Sequence, residues 1–140
     1  MVTYFENELI LAEAKARQGG IADGLPHLNN VRAWLNSGGQ LNDNHNGGSF
    51  NYAAFDSSDF SSGGIENADG VDAKTAFLRE VIEERYVSGF GMHMPFNDAR
   101  RLRKSDSAYS VPFVLVDGPA GPYPERMPYA CLLYTSPSPR

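Results

Sequence analysis

The chain has 140 residues, 41% of them hydrophobic and 21% charged, with a formal net charge of −5 and a single cysteine. That is enough apolar material for one domain with a small core. The acidic balance argues against a nucleic-acid partner, which needs clustered surplus lysine and arginine, and no run approaches the roughly eighteen apolar residues of a membrane-spanning helix.

The first predicted element opens with a capping box. Thr3 is the N-cap and Glu6 reaches back to it from three residues on. Phe5, Leu9, Ala12 and Ala16 then share one helical face, and Gly19-Gly20 ends the helix. A second helix is expected over about 22–36, with Pro26 confined near its first turns and Leu25, Leu28, Val31, Trp34 and Leu35 on its apolar side. A short glycine turn between two such helices predicts an antiparallel hairpin. The pair resembles one tetratricopeptide-like unit, although one hairpin does not establish an array.

From 37 to 70 Asn, Asp, Ser and Gly dominate, interrupted by Phe50, Tyr52, Phe55, Phe60 and Ile65. A loop this long is either functional or disordered, and recurrent aromatics argue against disorder. Asn42, Asn44, Asn46 and Gly47 echo the start of a calcium loop. Ala53 stands where the twelfth-position glutamate belongs, which excludes an EF-hand. Phe50, Asn51, Tyr52 and Phe55 offer rings for sugar faces and amides for hydroxyls, and are the candidate ligand-binding residues. The competing role for these rings is to anchor the loop on the helices.

A third helix is expected from an Asp72 cap to Ser88, a shorter fourth over 97–104, and an extended strand over 110–116. Leu78, Val81 and Ile82 form an apolar stripe with Arg85 at its centre. A guanidinium there needs a partner, because an unpaired buried charge costs several kcal/mol. Asp98 is the first candidate, with Glu6 and Glu13 as alternatives. Arg85, Asp98, Arg100 and Arg101 are therefore read as structural ion pairs. His27, His45 and His93 have no Ser, Cys or Asp at triad or metal-pair spacing. Glu80, Glu83 and Glu84 read as a solvated helix face. No catalytic residue, metal or cofactor is assigned.

The last ten residues read CLLYTSPSPR. As codons they resemble the translated end of a transposase-type sequencing adapter, so 131–140 is set aside from fold reasoning and Cys131 with it.

Three marks carry a family resemblance. They are Leu9–Ala14 (LILAEA), then Leu28–Arg32 (LNNVR), then Glu84-Arg85 followed after a glycine break by Asp98-x-Arg100-Arg101. In this order they resemble the C-terminal part of the SusD/RagB family, starch- and glycan-binding outer-membrane lipoproteins of gut-type Bacteroidetes. The insertion Gly89–Pro95 departs from the family pattern. The resemblance implies that 1–130 is a C-terminal portion of a longer chain, mainly α. It also implies non-catalytic capture of oligosaccharide at the bacterial surface and delivery to a TonB-dependent outer-membrane transporter, with signal peptide and lipid anchor lying upstream. Two rivals remain open at this stage: a tetratricopeptide-like protein-interaction module, and a carbohydrate hydrolase if two carboxylates line one cleft.

Overall fold

The computed structural model describes residues 2–39, 51–105 and 108, and is mainly α. Four α-helices follow one another: α1 (Tyr4–Gln18), α2 (Ile21–Asn36), α3 (Ala73–Ser88) and α4 (His93–Ser105), with a short 3-10 helix, Ser57–Phe60, before α3. Among the described residues there is no strand. The expected strand at 110–116, the tail at 131–140 and residues 40–50, with His45 and Phe50, lie outside the described residues.

The capping box forms: the Glu6 amide donates to Thr3 Oγ1 and the Thr3 amide to Glu6 Oε2, both at 3.3 Å. Gly20, at φ 128°, turns the chain between α1 and α2 in a region that side chains avoid. Phe5 stacks on Trp34, Glu8 bonds to His27 and Asn30, and Gly24 lies against Ala12 and Ala16. Early residues of α1 meet late residues of α2 and the reverse, so the two helices run antiparallel as a hairpin. Gly24 permits their closest approach. A Cβ there would come 2.6 Å from the Ala12 carbonyl oxygen and 2.9 Å from Ala16 Cβ and Phe77 Cε1.

Helix α3 lies against this hairpin through Ala76, Phe77, Leu78 and Val81, all buried with Leu9, Ala12, Ala16, Leu28 and Val31. Asp72 caps it by accepting from the Thr75 amide at 3.2 Å. Burying a Leu or Phe side chain contributes about 1.5–3 kcal/mol, so this cluster is the main source of stability.

Two expectations are corrected. Helix α4 begins at His93 and not at 97, because Pro95 falls in its first turn, where an absent N–H leaves nothing unbonded. The region before α3 is not irregular throughout. Asp56 and Asp59 form a capping box around the 3-10 helix, and Asn67 organises the turn after it. The Asn67 side chain is buried and fully bonded, donating to the carbonyls of Phe60 and Val71, each at 2.8 Å, and accepting from the Val71 amide at 2.9 Å.

Candidate functional site

Three constellations stand out, the first a buried charge cluster. Arg85 is 4% exposed. Its Nη1 donates to both Asp98 oxygens (3.1 and 3.0 Å), and its Nη2 donates to Glu13 Oε2 (2.8 Å) and the Leu9 carbonyl (3.1 Å). Arg101 closes the ring, donating to both Glu13 oxygens (2.7 and 3.0 Å) and to Asp98 (2.9 Å). Arg17 adds a bond to Glu13 at 2.9 Å. Burial alone pushes the Glu13 carboxyl up, but the Arg101 hydrogen bond and the charges of Arg85 and Arg101 outweigh it and hold the group at about 2. Two carboxylates alternating with three guanidiniums thus tie α1, α3 and α4 together. Both Asp98 and Glu13 partner Arg85, whereas Glu6 is used in the helix cap. Arg100 lies apart from the cluster. It is exposed, with its guanidinium 5.7 Å from the Phe96 ring centre, and among the described residues it joins no ion pair.

The second constellation holds the segment 51–56 against α2. The Phe55 amide donates to Asn29 Oδ1 (2.8 Å) and Asn29 Nδ2 donates to the Phe55 carbonyl (3.0 Å). Asn36 and Tyr52 repeat the arrangement, both bonds at 2.7 Å, and Arg32 donates to the Ala53 carbonyl between them. Phe55 does not present a free face to a sugar. It is 7% exposed, with Arg32 3.9 Å above its ring and Phe60 edge-on at 5.4 Å. Phe60 meets Phe77 of α3 in turn, at 5.1 Å, so this ring anchors the segment to the core. Tyr52 is half-buried, 5.9 Å from the Arg32 guanidinium, and Asn51 is exposed. Among the described candidates these two are less covered than Phe55.

The third is a cleft of about 230 Å³ bounded by Ile65, Glu66, Asp69, Arg79, Glu80 and Glu83. Burial, the charges of Glu66 and Glu83, and a hydrogen bond with Glu66 push the Glu80 carboxyl up to about 8, so it is protonated at neutral pH. Glu80 is therefore not on a fully solvated face. A glycosidase places its two carboxyls roughly 5–9.5 Å apart, across the sugar bond. Glu66, Glu80 and Glu83 all line this one cleft, which is the arrangement the hydrolase alternative requires.

Of the histidines, His27 Nδ1 lies 2.9 Å from Glu8 Oε2, an α1–α2 link that also takes in Asn30. His93 is exposed at the start of α4. Among the described residues no cluster of His, Cys, Asp and Glu has the arrangement of a metal site, and no helix is long and apolar enough to cross a membrane.

No family model, curated protein or solved structure matches the chain.

Proposed function

We propose that this chain forms the helical part of a SusD/RagB-like, non-catalytic oligosaccharide-binding protein of the bacterial outer membrane, passing glycan to a TonB-dependent transporter. One observation carries the reading. Glu13 of the LILAEA mark, Arg85 of the E-R pair, and Asp98 and Arg101 of the D-x-R-R mark converge on one cluster, its first three members buried and Arg101 at its exposed edge. Two of the three marks behind the resemblance are therefore parts of a single structural device joining three helices, while the LNNVR mark lies outside it on α2. The hydrolase alternative rests on Glu66, Glu80 and Glu83 lining one cleft, and product analysis separates the two readings.

Sugar contact falls to Tyr52, whose ring sits beside the Arg32 guanidinium, and to Asn51. Calorimetric titration with a glycan panel, with reducing-end analysis alongside, tests the proposal. Modest affinity without product is the expected outcome, and Tyr52→Ala should weaken binding by about 1 kcal/mol. Reducing ends that accumulate with wild type and disappear with Glu80→Gln would overturn it in favour of hydrolysis. Heat signals absent across the whole panel would reject glycan binding by this chain.

A further inference from the structure

Helix α2 holds the 51–56 segment as a neighbouring strand would. Asn29 and Asn36 each use one amide N–H and one amide oxygen on the N–H and C=O of a single residue, Phe55 and Tyr52 respectively. The spacing accounts for the fit. Seven residues of helix advance about 10.5 Å, and three residues of extended chain span about 10 Å. Arg32 fills the gap on the Ala53 carbonyl.

Every atom engaged by the two asparagines and by the Arg32 hydrogen bond is main chain, so the ladder sets few conditions on sequence. It requires an extended segment, no proline at the two donor positions, and a ring at the position of Phe55. That ring sits beneath Arg32 and against Phe60. Tyr-Ala-Ala-Phe is the sequence the ladder is seen to fit, and every copy of the chain carries one.

We propose that this face of α2 also receives the 51–56 segment of a second copy of this chain, so that the same bonds close within one molecule or, by exchange, between two. The inference is independent of the oligosaccharide reading. Tethering gives the chain's own segment an effective concentration of order millimolar, so the closed monomer is the default. Exchange shows itself when the tethered segment is weakened and an intact one is supplied.

The test uses two full-length variants. Phe55→Ala loosens the segment and leaves the ladder intact; Asn29→Ala/Asn36→Ala removes the ladder and leaves the segment intact. Light scattering after gel filtration should report a monomer for each variant alone and a doubled apparent mass for their 1:1 mixture. A mixture that stays monomeric overturns the proposal. So does a dimer that persists when all three substitutions are placed in both chains. If circular dichroism shows that Phe55→Ala loses helix, Tyr52→Pro takes its place, since it deletes the donor to Asn36 and keeps the core ring. A labelled peptide of residues 51–60, NYAAFDSSDF, is titrated into the loosened variant in parallel. Peptide bound without dimer in the mixture rejects the second copy as occupant and assigns the face to a foreign extended peptide.

Discussion

The two sides of the helical hairpin are secured by opposite means. Towards α3 and α4, α1 is tied by charge: Arg85, Glu13 and Asp98 bond side chain to side chain out of water, and the more exposed Arg101 closes the ring. Towards 51–56, α2 uses neutral amides that bond main chain, at positions partly open to solvent. The charged tie is specific and unforgiving, because removing one member strands another in a medium that solvates it poorly. The amide tie is permissive, because its partners are groups that almost every residue carries.

Arg85→Ala should break this contrast most sharply. It leaves Asp98 and Glu13 short of their main partner and should cost about 3 kcal/mol in denaturant unfolding. A loss below about 0.5 kcal/mol would instead mark Arg85 as a surface charge.

Acid should attack the same side. The Glu13 carboxyl titrates near 2 when folded against an ordinary 4.5, so the unfolded chain binds the extra proton between those values. Its contribution is therefore complete above pH 4.5 and is lost as pH falls through 2, a swing of about 3 kcal/mol if the whole shift is realised. Glu80 has the opposite sign. Raised to about 8, it keeps its proton in the folded state while the unfolded chain gives one up, so stability declines as pH rises from 4.5 to 8. Urea titrations at stepped pH should show the acid loss shrink in Glu13→Gln and the alkaline loss shrink in Glu80→Gln.

On the permissive side, Asn29→Ala should cost about 1–2 kcal/mol, with Phe55 still held by its ring contacts. A larger cost in the thermal midpoint would show that the amide tie matters as much as the charged one. Arg100→Ala, outside the cluster, should change stability by less than about 0.5 kcal/mol, which would set it apart from its neighbour Arg101.

Sequence patterning revealed one side of the hairpin far better than the other. A buried arginine in an apolar stripe announces that it needs an acid, so Arg85 leads to Asp98 first and to Glu6 or Glu13 as alternatives, of which Glu6 serves the helix cap instead. Helix α4 starts four residues before the expected 97, with Pro95 in a first turn that the sequence pattern does not mark. Asn36 and Asn67 give no signal, and Asn29 stands out only as part of the LNNVR mark: their partners are main-chain groups, which leave no trace in residue identity. Phe55 read as a ligand platform because a ring among polar residues looks the same from sequence whether its face is free or covered. Gly24 went unremarked within its helix, since only the neighbouring α1 and α3 explain why a side chain would not fit there.

The ring of charges has a consequence for how the molecule opens. Because Glu13 is shared by Arg85, Arg101 and Arg17, and Asp98 by two of those three, no helix can leave without exposing charges on the others. In native-state hydrogen exchange, the central amides of α1, α3 and α4 should open as one cooperative unit with a common free energy. Residues 51–56 can let go on their own and should exchange in a separate, faster class.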